Sequence, residues 1–148
     1  MKYKFRTFTV EYVCEGWDLG QALRSGEDVY RFAPSIYSTL DADKEHFAAI
    51  ILNNKNRYQG HKVVSTGSLT AAIVHPREVL TAVLNPDWRA AAVIFIHNHP
   101  SGDPAPSPED IDITRRHKEI FDLMGIRLLD HVVIAHDRYF SFSEKGLL

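Results

Sequence analysis

The stretch Val93–Asp110, VIFIHNHPSGDPAPSPED, decides how the rest of the chain is read. Four apolar residues run straight into His97-Asn98-His99, and the next eleven positions hold four prolines, one glycine, two serines and three carboxylates. An apolar run of this kind, opening at AAAVIFIH (90–97), suits a strand buried on both faces. Residues i and i+2 of a strand point to one side, so a strand continued to Pro100 aims His97 and His99 together and turns Asn98 away. Ser107-Pro108-Glu109-Asp110 then reads as a helix start, with serine at N-cap, proline at N1 and aspartate at N3. The prolines at 100, 104, 106 and 108 stiffen the connection between the two.

Two imidazoles at the end of a rigid strand are half of a zinc site, and a catalytic zinc takes three protein ligands with a fourth position for water. A carboxylate is therefore needed, and Asp103, Glu109 and Asp110 are within reach. Helix geometry favours Asp110, which is held in the first turn rather than on the loop. The plain structural reading stands beside this one: S-P-E-D is also a complete capping box, and paired histidines can simply bond loop carbonyls. The letters HNH do not make the nuclease of that name, whose residues come from separate elements. A zinc deaminase is excluded because no P-C-x-x-C follows.

Outward from this stretch, the 148-residue chain reads as α/β, or mixed α+β with helices against a sheet. Residues 2–14 alternate as a strand with a bulge near Arg6-Thr7. Ser25 starts a helix with Val29, Phe32 and Ile36 as its buried stripe, broken or restarted at Pro34. HFAAIILN (46–53) and YQGHKVVSTG (58–67) form a hairpin about an NKNR turn. Pro76 opens a helix over PREVLTAVL. A helix from Pro108 to Met124 puts Ile113, His117, Ile120, Phe121 and Met124 on one face and closes at Gly125. IRLLDHVVIA (126–135) and RYFSF (138–142) end the chain as strands.

Composition narrows the function classes. Hydrophobic residues are 45% and charged residues 24%, the balance of a globular domain. No apolar run approaches the roughly 18 residues of a membrane helix. The N-terminus lacks the uninterrupted apolar core of a signal peptide. One cysteine, Cys14, rules out a disulfide framework or a thiolate cluster and points to the cytoplasm. A net charge of −2 argues against strong nucleic-acid binding.

His97-x-His99, seven residues, Ser107, two residues and Asp110 match the JAMM metalloprotease motif at every spacing. With EHFAAIILNNKN, HPREVL and LLDHVVIAHDRYFSFSEKGLL, the chain resembles the RadC-like bacterial branch of the JAMM/MPN superfamily over about residues 25–148. The remaining residues, 1–24, are read as a strand-like extension, where RadC-like proteins usually carry a helix-hairpin-helix region associated with DNA binding. The resemblance implies a JAMM/MPN-type sheet flanked by helices and Zn2+ held by His97, His99 and Asp110. It also implies that Ser107 steadies a tetrahedral intermediate, and that an upstream glutamate, matched by Glu45, moves the proton. Without the family, Glu45 is one more solvated residue of the acidic run 41–45.

Asp130-His131 admits two readings. The pair can orient a metal ligand, or His131 can sit in the sheet satisfied by a backbone partner, which the general pairing of buried polar groups favours. Arg115-Arg116-His117-Lys118 reads as a solvated helix face with one inward position. The leading function is a zinc-dependent hydrolase attacking a peptide or isopeptide carbonyl, with no membrane partner. Two other classes compete: a DNA-associated accessory module whose metal site is structural or vestigial, and a metal-bearing domain that docks a peptide at a sheet edge without cleaving it.

Overall fold

A computed structural model describes residues 20–67, 74–86 and 88–148. The strand expected over 2–14, and Cys14, lie outside the described residues. The elements run α1 (Gly26–Tyr37), β1 (His46–Leu52), β2 (Tyr58–Thr66), α2 (Pro76–Val83), β3 (Ala92–Asn98), α3 (Pro108–Leu123), β4 (Arg127–Ile134) and β5 (Tyr139–Ser141). Their strands form one mixed sheet in the order β2-β1-β3-β4-β5. The β3–β4 pair is parallel and bridged by α3, and the other pairs are antiparallel.

β1 and β3 lie inside the sheet, which is why HFAAIIL is buried at all seven positions. One face carries Ala48, Ile50, Leu52, Ile94 and Ile96 against Val29, Phe32, Ala33 and Ile36 of α1. The opposite face carries Phe47, Ala49, Ile51, Val93 and Phe95 against Val79 and Val83 of α2 and Ile113 and Phe121 of α3. Strand alternation puts His97 on the α3 face with Phe95 and Val93. The Asn53–Arg57 turn joins β1 to β2, with Asn56 in the left-handed region at φ 55° and the Asn53 carboxamide accepting the Lys55 and Arg57 amide hydrogens.

Two local expectations are corrected. α1 runs through Pro34 to Tyr37 instead of breaking there. Pro34 is on the exposed side of the helix, open to solvent, while the buried stripe on the other side holds the helix to the sheet. Met124 is not part of the inward face of α3: it is the C-cap residue and 41% exposed. Gly125 follows at φ 69°, and the reversal there lets Ile126 continue the apolar layer instead.

Candidate metal centre

The C-terminal end of β3 and the N-terminus of α3 meet at one edge of the sheet, the place where α/β proteins gather ligands. His97 is the next-to-last residue of β3 and fully buried. β3 ends at Asn98 rather than reaching Pro100, but His99 stays on the sheet edge because its amide donates to the Ile134 carbonyl at 2.8 Å. The loop then doubles back at Gly102 (φ 82°), and His99 Nδ1 lies 2.8 Å from the Asp103 carbonyl oxygen. A carbonyl can only accept, so His99 carries its proton on Nδ1 and offers its Nε2 lone pair.

Asp110 arrives from the other side at N3 of α3. Ser107 Oγ accepts the Asp110 amide hydrogen at 3.1 Å, and Asp110 Oδ2 accepts the Ser107 amide hydrogen at 2.7 Å. The capping box and the carboxylate delivery are thus the same structure. Asp110 is 2% exposed, and its charge is favoured by the helix N-terminus. Burial works against that charge, but the neighbouring His97 and His99 imidazoles and the Ser107 amide outweigh it and hold the carboxyl well below the usual carboxylate range. The Asp110 carboxylate in turn pushes the His99 imidazole up.

His97 Nε2 lies 2.8 Å from His99 Nε2 and 3.3 Å from Asp110 Oδ1, and His99 Nε2 lies 3.6 Å from Asp110 Oδ2. One ligand atom from each residue falls within 4.8 Å of the others, so this cluster can hold a metal ion. The donor set fits one: a buried carboxylate and two imidazole nitrogens face a common point, and nitrogens this close need a proton or a cation between them. Of the other carboxylates considered, Asp103 points its Oδ1 at the Ala105 amide, and Glu109 is exposed.

Glu45 immediately precedes β1. The β1–β3 ladder ends at the Phe47–His97 pair, two residues beyond Glu45. The Glu45 charge contributes to the upward push on the His99 imidazole. The sequence reading missed what holds this segment. Asn98, turned away from the two histidines, accepts the His46 amide hydrogen and donates to the Lys44 carbonyl, each at 2.8 Å. The only local signal is that the residue between two inward histidines must face the other way.

Asp130 and His131 do not act as a pair, and His131 is not satisfied by a backbone group. They are adjacent strand residues facing opposite sides. Asp130 accepts hydrogen bonds from the His131 and Ser143 amides and the Ser141 hydroxyl, anchoring the end of the chain, while burial raises its carboxyl. The His131 ring instead lies between His97 Nδ1 at 2.8 Å and Thr114 Oγ1 at 2.6 Å. Burial pushes its imidazole down. On α3, Arg115 and Arg116 pair with Asp112 and Lys118 with Asp122, while His117 points inward.

No helix among the described residues is long and apolar enough to cross a membrane. A family profile described as the RadC-like JAB domain matches residues 23–147. A UPF0758 protein of Geobacter sulfurreducens is 53% identical over 112 residues, 76% of this chain and 48% of the relative. One from Syntrophotalea carbinolica is 51% identical over 108 residues, 73% of this chain and 47% of the relative. Another, from a Geobacillus species, is 46% identical over 124 residues, 84% and 53% respectively. The chain spans about half the length of these curated relatives. With a mixed sheet between helices and a His-His-Asp cluster at the β3–α3 edge, the chain belongs to the RadC-like JAB domain family.

Proposed function

We propose that this chain is a zinc-dependent hydrolase that cleaves a peptide or isopeptide bond. The observation that carries the reading is the convergence of His97, His99 and Asp110 on one point, with Glu45 near enough for its charge to push the His99 imidazole up. His97, His99 and Asp110 would hold the ion. Zinc, when bound, supplies a Lewis acid that polarises a carbonyl and makes water more acidic. Glu45 takes a proton from the attacking water and returns it to the leaving amine. The Ser107 hydroxyl accepts from the Asp110 amide, and that bond leaves its hydrogen to donate toward the developing oxyanion.

Beside the cluster, a cavity of about 360 Å³ is lined by Tyr30, Ala33, Tyr37, Leu40, His99 and Ile134, among others. The Tyr30 and Tyr37 hydroxyls are bonded to the carbonyls of His136 and His46, so what these two residues add to the cavity lining is mainly apolar. The cations of α3 are engaged by Asp112 and Asp122, which gives the DNA-associated alternative no support from that face. A single cysteine in the chain supports a reducing, cytoplasmic setting.

The test is hydrolysis of quenched-fluorescent peptides and isopeptide-linked lysine substrates by the zinc-loaded chain. Glu45→Gln should retain zinc and lose about 10²–10⁴-fold in rate. Absence of turnover across both substrate classes, or full activity in Glu45→Gln, would overturn the proposal.

A further inference from the structure

We infer that His131 and Thr114 are positioning residues of the metal centre, members of a buried hydrogen-bond chain that fixes the proton of His97 on Nδ1 and turns its Nε2 lone pair toward His99 and Asp110. The inference rests on the metal-binding reading of those three residues and adds the device that prepares one of them.

The direction of the chain follows from its far end. Thr114 Oγ1 lies 2.6 Å from the Asp110 carbonyl oxygen, one helical turn back. That oxygen only accepts, so the threonine hydroxyl donates to it, the usual bond of a helical threonine to the i−4 carbonyl. With its hydrogen committed, Thr114 Oγ1 is left as acceptor toward His131 Nδ1 at 2.6 Å, and His131 carries its proton there. His131 Nε2 is then a lone pair, and the 2.8 Å contact with His97 Nδ1 requires that His97 donate. The remaining ring nitrogen, His97 Nε2, faces the cluster, where its lone pair would meet a bound ion. The order is anchored on a group that cannot donate, and it fixes the Nδ1 proton of His97.

Burial keeps the order from being rearranged by water. Thr114 and Asp110 are each 2% exposed, and His97 and His131 are 0%. The His131 ring plane is fixed by a stacked Phe142 at 4.8 Å and 14°, and by the edge-on contacts of Phe47 and Phe95. The β3–β4 register, with His97 beside Val133 and Phe95 beside His131, sets the second histidine one step behind the first on the same face. A ligating histidine whose other nitrogen is bonded has a fixed tautomer and ring angle, and loss of such a partner costs about 10–100-fold in metal affinity. The chain also closes on itself: α3 supplies both the carboxylate of Asp110 and, through the same residue's carbonyl, the proton polarity of His97.

The experiment measures zinc affinity by chelator competition for the full chain, Thr114→Val, Thr114→Ser and His131→Gln, alongside histidine-detected NMR of the metal-free protein. Thr114→Val should lose about 10–100-fold in affinity, and Thr114→Ser should stay within about threefold of the parent. In the metal-free parent, a coupling across the hydrogen bond should connect His97 Nδ1 to His131 Nε2, with the proton on His97. Unchanged affinity in both Thr114→Val and His131→Gln, or a proton found on His131 Nε2, overturns the inference, even if a variant folds poorly. Failure of the parent itself to bind zinc removes the metal reading, and this inference falls with it.

Discussion

Asn98 holds the segment before β1 at both ends, accepting the His46 amide hydrogen and donating to the Lys44 carbonyl, each at 2.8 Å. Glu45 sits between those two bonds. The middle residue of H-x-H therefore ties the segment bearing Glu45 to the strand that supplies the two histidines.

Replacing that side chain separates positioning from binding. Asn98→Ala should leave zinc affinity within about threefold of the parent, because its side chain faces away from the cluster. Losing two hydrogen bonds should cost about 1–3 kcal/mol and speed amide exchange at His46. Turnover should fall with KM little changed. A large loss of zinc affinity in this variant would show that Asn98 acts on the ligands instead.

The capping box makes a stability prediction that is independent of metal. Ser107→Ala removes the acceptor for the Asp110 amide. It should lower the stability of the metal-free chain by about 1 kcal/mol, with Ser107→Asn much closer to the parent. Thermal melts should show about 2–4 °C of this for a chain of this size.

Much of this was legible in the sequence because it is local. HFAAIIL and AVIFIHN are apolar at successive positions, as strands covered on both faces must be, and S-P-E-D states its cap and its carboxylate within four residues. Pro34 misled because tertiary packing of Val29, Phe32 and Ile36 outweighs one missing hydrogen bond on the exposed side. For His131 the sequence offered a metal-orienting role through Asp130 beside the favoured backbone partner, but not its actual partners, His97 and Thr114. The first of these contacts depends on the parallel register of β3 with β4, which brings together residues 34 apart, and no short-range pattern encodes it.

Asp130 should behave unlike its neighbour. Asp130→Ala strands the Ser141 hydroxyl and the His131 and Ser143 amides, a loss of about 2–4 kcal/mol in denaturant unfolding. Zinc affinity should remain near that of the parent. A loss comparable to that of Thr114→Val would mean that the adjacent pair acts together after all.

The inward histidine of α3 sets a pH dependence. His117 is fully buried, donates from Nδ1 to the Ile113 carbonyl at 2.8 Å, and has no hydrogen-bond partner for Nε2 among the described residues. Burial pushes its imidazole below the ordinary value of about 6.5. Its folded pKa being the lower one, the unfolded chain binds the proton first as pH falls. The contribution is therefore complete above about pH 6.5 and is lost as pH drops from there toward the folded value. Urea melts of the metal-free parent and of His117→Phe between pH 5 and 8 should diverge in that direction, the variant having the shallower loss. Parallel pH profiles would contradict it.

The central claim is that His97, His99 and Asp110 form one metal site, and metal stoichiometry tests it most directly. Untagged chain exposed to zinc and dialysed should retain one ion per chain by elemental analysis, and Asp110→Ala treated the same way should retain almost none. A parent chain that cannot be loaded, or an Asp110→Ala variant that keeps its zinc, would contradict the account.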